Sequence, residues 1–599
     1  MQENQHQFDF NNVRSLAGKL WKFCSYDERA ALGFQRFLNI DELFARLLTI
    51  RKVDLKQAQF YLSPNLKYFM PDPLLLNDMD KAIGRLYQAI ITGENIAVFG
   101  DYDVDGATSA ALLKLFFKTL GIPLTLYIPD RFKEGYGPNI AALKKLKEQN
   151  IQVVITVDCG ITSFDPLAEA AELGLDIIVI DHHAASFELP KAVAVINPNR
   201  LDTEPTLHQS TKHLAAVGVT FLLIVALNRH LRLASFYSEN RPEPDLRQWL
   251  DLVALGTVCD VVPLSGLNRA FVKLGLAALA KRKNIGLTAL CDIAGINDSP
   301  TSYHLGFMLG PRINAGGRIG TSDLGVKLLS SDSIIDAKQL ALELDYLNKE
   351  RGNLEKDAIN QAISSVYSKG YQQDKPFVLA SSSEWHPGII GIIAARLKDH
   401  FNVPAFVISW QDKIGKGSAR SIPDFDLGSA VIAARQEGIL IEGGGHAMAA
   451  GLTIDQDKIL EFEKFLSSHL LRQTNNVIPV PEIHIDGILS TQSFDDYLYD
   501  QLTYLAPFGS GNPEPKFLMP FMKIIKADIV GQNHVRCMII GKSGRAVKAI
   551  AFRCVENTLG SFLLKKQSKL HLIGQIKSQK WQNQTTLQFI IEDAMPVVE

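Results

Sequence analysis

Three aspartates at alternate positions, Asp101, Asp103 and Asp105, follow a short apolar run in the stretch NIAVFGDYDVDG, and Gly106 closes the turn after them. Carboxylates packed this closely repel one another unless a cation lies between them, and hard divalent cations take oxygen ligands. Further donors recur in the same setting, directly behind an apolar run. Asp158 opens DCG after residues 153–157, and Asp181-His182-His183 follows 177–180. Asp260 lies in VCDVVPL, at the end of a helical pattern over 249–258. One aspartate at a strand end is usually a turn former or a helix cap. Strand ends that together bear five acids and two histidines point to a metal centre. Mixed Asp and His ligation suits Mn²⁺ or Mg²⁺ better than structural zinc, which favours closed thiolate or imidazole sets. Two such ions ~3.5–4 Å apart, bridged by a carboxylate, hydrolyse phosphoesters.

Other readings of these residues fail on spacing. A calcium EF-hand loop starting at Asp101 needs a preceding helix and a glutamate at its twelfth position. A strand pattern precedes instead, and the twelfth residue is Leu112. The GxxxxGK[ST] signature of a P-loop is absent from this stretch. The six cysteines are scattered without a CxxC pair, which argues for reduced thiols in the cytoplasm and against zinc or disulfides. MQENQHQFDF lacks the basic-then-apolar layout of a signal peptide, and no apolar run approaches the ~20 residues of a membrane span, so a cytoplasmic protein with no membrane partner is expected.

The elements that must position these donors read as α/β. Apolar strands are expected at 96–99, 124–128, 153–157, 177–180 and 193–196, with helices at 107–120, 140–148 and 165–173 between them. Continuous apolar strands alternating with helices form a parallel sheet covered on both faces, whose ligands sit beyond the carboxyl ends of the strands. That places every candidate donor at one sheet edge. Residues 1–78 read as a helical N-terminal extension packing on the next domain, 79–330 as the catalytic domain, and 331–370 as a long connecting helix. Residues 371–474 form a smaller α/β domain, and 475–599 an OB-like β-barrel of five short strands.

Three further clusters suit an oxyanion. Leu309 to Gly320 sets Arg312, Asn314 and Arg318 among glycines, where backbone N–H groups and guanidinium groups could hold a phosphate. Ser418 and Arg420 stand in GKGSARS, and the WHPG that precedes the helical pattern at 389–397 marks a helix N-terminus suited to anions. In EGGGHAMAAG, Gly444 and Gly445 let the backbone approach a phosphate beside His446. The net charge of −2 conceals an asymmetry, because 516–590 carries 13 Lys/Arg against 2 Asp/Glu. A basic barrel on an acidic body suits a polyanionic single strand. Phe552, Trp581 and Phe589 are equally read as base-stacking or core residues.

DYDVDG, VDCG, DHH and VCDVVPL resemble the DHH phosphoesterase superfamily, and GGGH with AAG resembles its DHH-associated domain. Their order and spacing resemble the bacterial branch that degrades single-stranded DNA from the 5′ end, over roughly residues 80–599. The resemblance implies an α/β fold, two Mn²⁺ or Mg²⁺ ions per active site, and release of mononucleotides during DNA repair and recombination. It makes Asp103, Asp105, Asp158, His182 and Asp260 the metal ligands, with Asp158 bridging. His183 then faces the phosphate or the attacking water, and Asp181 supports the histidine pair. His446 contacts the scissile region, and Ser418 and Arg420 contact a terminal 5′-phosphate. Relatives place a ligating histidine four residues before Asp103, where this chain has Phe99; either Asp101 takes that place or one ion is held by fewer ligands. A monomer is implied, with single-stranded DNA, single-strand-binding protein and a helicase as partners. The alternatives are a DHH phosphoesterase for short oligonucleotides or cyclic dinucleotides, and a nuclease-dead replication scaffold.

Overall fold

Runs of valine, isoleucine and leucine bounded by Asn, Asp and Gly produce the sheet that carries the acids. After an N-terminal strand β1 (Leu20–Phe23) come β2 (Ile96–Gly100), β3 (Leu124–Tyr127), β4 (Val153–Val157), β5 (Asp176–Ile180) and β6 (Ala194–Ile196). In this computed structural model the five strands from β2 to β6 lie in the order β3-β2-β4-β5-β6, every pair parallel. The structure describes residues 8, 10, 13–131, 133–371, 375–475, 477, 479–565, 569–581 and 584–597, with backbone only at 580, 581, 584 and 585. The helix Val104–Thr119 is apolar on all sides and buried accordingly. Ala216–Leu233 has the length and mean hydropathy, 1.4, of a membrane span, yet most of it is buried in the protein, as a core helix would be.

The chain divides into two compact units. One comprises Met1–Gly317, Ser322–Leu342 and Glu482–Glu599; the other comprises Arg318–Thr321 and Glu343–Pro481. The helix Ile334–Ser368, 35 residues long, passes from the first into the second. The second unit has its own sheet. Its strands β7 (Val378–Ser382), β8 (Ala405–Gln411), β9 (Ile414–Arg420), β10 (Glu442–His446) and β11 (Ala449–Asp455) lie in the order β10-β11-β9-β8-β7.

The C-terminal module adds β12 (Glu482–Ile485), β13 (Gly487–Ile488), β14 (Phe517–Val530), β15 (His534–Ile540), β16 (Ala546–Ala551), β17 (Lys569–Trp581) and β18 (Gln584–Pro596). The ladder β14-β15-β16-β18-β17 closes when β17 pairs back with β14, giving a five-stranded barrel. Phe589 is fully buried in it, whereas Phe552 is exposed. The side chain of Trp581 lies outside the described residues.

The N-terminal segment does not simply pack on the domain that follows. Phe34, Phe44, Leu47 and Leu48 share one apolar core with Leu489, Phe517, Leu572 and Phe589 of the barrel. β1 pairs in parallel with β12, and Trp21 Nε1 donates to Asp593 Oδ2 at 3.0 Å. Asn512, buried in the turn after 506–511, joins three parts of the chain. Its Nδ2 donates to the carbonyls of Leu505 and Pro507, both at 2.8 Å, and its Oδ1 accepts from Arg51 Nε at 2.9 Å and Tyr61 OH at 3.0 Å. Arg269, 1% exposed, lies 3.9 Å over the Tyr61 ring and donates to Tyr61 O and Ala506 O, both at 2.8 Å. Asn512→Ala leaves two carbonyls, a guanidinium nitrogen and a phenol without their partner, so it is expected to cost about 3 kcal/mol. Urea denaturation checks this, and a loss well under 1 kcal/mol would mean that water replaces the side chain.

Candidate metal centre and anion-binding strands

Each acid that leaves the parallel sheet is held by one more rung of the ladder. Asp101 N donates to Val157 O at 3.3 Å, Asp158 N to Ile180 O at 3.0 Å, and Asp181 N to Ile196 O at 3.1 Å. The strand ends therefore fix where these carboxylates begin. Asp158 has a left-handed backbone (φ 60°), which aspartate tolerates, and Gly160 follows at φ 113° where a Cβ would lie 2.7 Å from Thr156 Oγ1. Asp103 caps the helix Val104–Thr119, its Oδ1 accepting from Asp105 N at 2.9 Å and Gly106 N at 3.1 Å. Gly106 is required there, since a Cβ would stand 2.4 Å from Asp101 O.

Asp105 is buried but not unsupported. Its carboxylate accepts from Ala216 N at 2.6 Å and Val217 N at 2.9 Å, the first N–H groups of the helix Ala216–Leu233. A helix N-terminus offers these donors together with a favourable dipole. Asp260 follows the helix Leu250–Cys259, and the next residue, Val261, is forced to φ 60°, an uncommon conformation for a β-branched side chain. Gly256 lets this helix come close, since its Cβ would lie 2.4 Å from Thr108 Oγ1 and 3.1 Å from Asp105 Oδ1.

The donor atoms fall in three overlapping groups, Asp101-Asp103-Asp158, Asp158-His182-His183 and Asp105-His182-Asp260, each with its atoms within 4.8 Å of one another. His182 Nε2 stands 3.3 Å from Asp158 Oδ1 and 3.8 Å from Asp105 Oδ2, and its Nδ1 lies 3.7 Å from Asp260 Oδ2. The sites are contiguous. Burial, reinforced by Asp103, raises Asp101 to about 8 and Asp105 to about 7; burial with Asp105 and Asp103 raises Asp260 to about 9. Burial and the crowd of neighbouring aspartates raise Asp158 as well. Burial, then His183, lowers His182 to about 4, so its ring is neutral at pH 7 and offers a lone pair. Asp101 Oδ1, Asp158 Oδ1, His182 Nε2 and Asp260 Oδ2 are buried without a hydrogen-bond partner. Neutral imidazole, surplus negative charge and orphaned donors are what a divalent cation would satisfy, and the residues fit Mn²⁺ or Mg²⁺. Phe99 turns away into the core and stacks on Tyr127 with centroids 5.4 Å apart, leaving Asp101 in the cluster.

His183 is positioned by Asp181, whose Oδ1 accepts from His183 Nδ1 at 2.7 Å. That carboxylate also takes the N–H groups of His182 at 2.7 Å, His183 at 3.1 Å and Ile161 at 3.0 Å. Burial is the largest single influence and works against charge on both side chains, yet their hydrogen bond, their mutual attraction and the N–H groups on Asp181 or the acids facing His183 together outweigh it, lowering Asp181 and raising His183. Two amides complete the loop, Asn197 Nδ2 donating to His183 O at 2.9 Å and Asn199 Nδ2 to His182 O at 2.6 Å.

Sequence reasoning missed two residues here. Tyr136 donates its hydroxyl to Asp158 O at 3.0 Å and sets its ring edge-on to His183 with centroids 6.4 Å apart. Arg131 lies over the ring of Tyr102, 5.0 Å from its centroid, and donates to the Tyr102 hydroxyl. The signal was present in RFKEGYG, a basic and aromatic stretch with two glycines directly after β3.

The expected glycine-rich phosphate loop at 309–320 is instead the helix Gly310–Ile319. Its glycines provide clearance. A Cβ at Gly317 would lie 2.2 Å from the Tyr102 ring, and one at Gly310 2.5 Å from Cys259 Sγ. Arg312, Asn314 and Arg318 accordingly lie along one helix, with Asn314 and Arg318 one turn apart. Arg312 Nη1 donates to Met308 O at 2.7 Å, and Asn314 Oδ1 is buried without a partner. Arg318 belongs to the second unit, where its Nη1 donates to Gly388 O at 3.0 Å.

In that unit the strand register gathers four of the five remaining residues on one face. Ser418 opposes Gly451, which opposes Gly444; Arg420 opposes Ala449, which opposes His446. Directly opposed residues of antiparallel strands point the same way. Gly and Ala in the middle strand leave a shallow trough between Ser418/Arg420 and His446. Gly445 alternates to the other face, opposite Ala450. The helix Ile390–Phe401 brings its first turn against Ser418 and Arg420, because a Cβ at Gly391 would sit 3.1 Å from Arg420 Nη2 and 3.2 Å from Ser418 Oγ. Arg420, Ser418 and this helix N-terminus are groups that could hold an anion.

A parallel sheet with an Asp-His-His end, faced by an aspartate on a neighbouring helix, defines a DHH-type phosphoesterase. The model of the DHH family N-terminal domain matches residues 95–257, the DHHA1 domain 374–470 and the RecJ OB domain 485–593. The single-stranded-DNA-specific exonuclease RecJ of Bacillus subtilis is 34% identical over 590 residues, 97% of this chain and 71% of that protein; the Escherichia coli RecJ is 35% identical over 533 residues, 87% of this chain and 91% of that protein. The crystal structure of Thermus thermophilus RecJ with Mn²⁺ superposes with a TM-score of 0.78 at 27% identity, covering 96% of this chain and 79% of that one. The same protein with Mg²⁺ gives 0.74 at 25% identity, covering 97% and 79%. The chain belongs to the RecJ family of single-stranded-DNA-specific exonucleases.

Proposed function

We propose that the protein degrades single-stranded DNA from the 5′ end by phosphodiester hydrolysis, releasing mononucleotides in DNA repair and recombination. The observation that carries this reading is the run of three overlapping donor groups, with four orphaned donor atoms among them, at one sheet edge. Asp101, Asp103 and Asp158 would hold one divalent ion and Asp105, His182 and Asp260 the other. Bound there, a pair of Mn²⁺ or Mg²⁺ ions lowers the pKa of water and stabilises the charge of attacking and leaving oxygens. Asp158 stands between the two sets and restrains both. Asp181 fixes the His183 ring through Nδ1, so that Nε2 serves as the proton carrier at the phosphodiester. Tyr136 keeps Asp158 in its left-handed conformation by holding its carbonyl.

Ser418, Arg420 and Arg318 receive the terminal 5′-phosphate, while His446 and the glycines before it contact the strand. The barrel supplies general affinity for polyanion, with Lys526, Arg536 and Lys548 exposed on β14 to β16. A helicase and a single-strand-binding protein are partners such a reaction implies. The test is degradation of a long 5′-phosphorylated single strand with Mn²⁺, compared with a 5′-hydroxyl strand, blunt duplex and a cyclic dinucleotide. Mononucleotides released first from the 5′ end of the phosphorylated strand support the proposal. Preference for the cyclic dinucleotide, or no hydrolysis at all, overturns it. Arg420→Ala is expected to slow the phosphorylated strand about tenfold while sparing the hydroxyl strand, the loss of one charge-assisted contact.

A further inference from the structure

Two large aromatic side chains next to the metal-bearing helix remain outside the core. Tyr303 is 59% exposed and Phe307 72% exposed, their rings near-parallel at 26° with centroids 5.2 Å apart. They occupy successive turns where the chain winds as a π-helix over His304–Leu309 before continuing into Gly310–Ile319. Insertions of π-helix are uncommon and cluster at functional sites. This one is held firmly on its inner side. Leu305 and Leu309 are buried, Cys259 Sγ donates to Leu305 O at 3.5 Å, and a Cβ at Gly306 would touch Val258 Cγ1 at 3.3 Å. Its start is tied down as well, with Thr301 N donating to His304 Nδ1 at 2.9 Å and Ser302 Oγ donating to Phe508 O. The exposed pair is therefore rigidly mounted on the turn that packs against Val258 and Cys259, immediately before Asp260.

We propose that Tyr303 and Phe307 form a stacking platform for nucleobases of the bound single strand, on the surface adjoining the Asp260 helix. The inference rests on the single-strand reading above. A flexible strand whose phosphodiester lies at the metal centre has its next bases unpaired, and unpaired bases seek flat apolar partners. Aromatic stacking needs no hydrogen-bond readout, so it tolerates any sequence, as degradation of arbitrary single strands requires. The cation such a site needs stands one turn away: Arg312 folds back onto Met308 O, the residue after Phe307. Phosphate would meet the guanidinium while bases meet the rings.

Binding of the full chain to a labelled 5′-phosphorylated single strand, measured by anisotropy in metal-free buffer, tests the platform against a strand of equal length made of abasic residues. The double substitution Tyr303→Ala/Phe307→Ala is expected to weaken the base-bearing strand roughly tenfold and leave the abasic strand unchanged. Phe307→Trp is expected to keep wild-type affinity and to have its added fluorescence quenched by the base-bearing strand alone. Equal weakening of both strands, or unchanged affinity with no quenching, overturns the platform; the second result fits a docking patch for protein. In either case degradation of single strands by the parent leaves the single-strand reading standing. A parent chain that binds neither strand removes both.

Discussion

Asp158→Asn is expected to abolish Mn²⁺ binding and to lower hydrolysis by about 10³-fold, the several kcal/mol that metal-assisted charge stabilisation contributes. The metal-free protein should at the same time become more stable. Asp158 is 3% exposed, and its backbone, not its side chain, makes the bonds to Ile180 O and from Tyr136. Asparagine keeps the shape and tolerates the left-handed conformation, so the fold has no reason to fail. What changes is charge. Burial most of all, and then Asp103, Asp105, Asp101 and Asp260, disfavour an ionised Asp158, and replacing the carboxyl removes that penalty. Thermal melting in EDTA and with added Mn²⁺, alongside calorimetric titration, separates the effects. The variant should melt above the parent in EDTA, while only the parent should gain from Mn²⁺. A variant that retains the parent's Mn²⁺-induced rise yet loses activity would show that Asp158 acts on substrate instead of holding metal.

The parallel sheet and the acids at its edge were legible because both depend on local pattern. An apolar run of five residues ending in Asp is visible without any tertiary knowledge, and β4 follows it residue for residue. The same holds for the helix Ile140–Glu148, whose apolar spacing and Asn139 cap are local. What supports the acids was not visible. Asp105 is satisfied by N–H groups more than a hundred residues away, and nothing in the sequence around Ala216 announces that its helix starts at a carboxylate. Residues 309–320 depart from the expected phosphate loop because their glycines read as positions of close backbone approach to an oxyanion. In a crowded interior the same residue gives clearance, and helical hydrogen bonding proceeds through it where Tyr102 and Cys259 come close. Glycines 415 and 417 repeat the lesson. They lie in β9 and make room for Trp410 and Leu452. The alliance of the two chain ends was equally hidden, since neither segment alone shows where its apolar face is covered.

That alliance makes truncation at residue 481 a test of folding before it is a test of DNA binding. Removing 482–599 uncovers Trp21, Phe34, Leu47 and Leu48, all buried in the complete chain. At about 1.5–3 kcal/mol for each large apolar side chain, the loss is on the order of 10 kcal/mol, comparable with the whole stability of a domain. The fragment 1–481 is therefore expected to be cleaved by trypsin within its first sixty or so residues, and to aggregate. A fragment trimmed at both ends, 63–481, loses the orphaned segment together with its partner. It should resist trypsin and keep its Mn²⁺-induced stabilisation, because no residue of the three donor groups lies outside those limits. Arg269 then faces water, which solvates a guanidinium at little cost. Affinity of 63–481 for long single strands should fall, and the slope of that affinity against salt should flatten, because the basic barrel has gone. If 1–481 proved as protease-resistant through its first sixty residues as the full chain, the shared core would not be what holds the N-terminal segment. If 63–481 lost Mn²⁺ binding, the contact of Leu264 N with Ser510 O at 2.8 Å would become the place to look, since it braces the turn that follows Asp260.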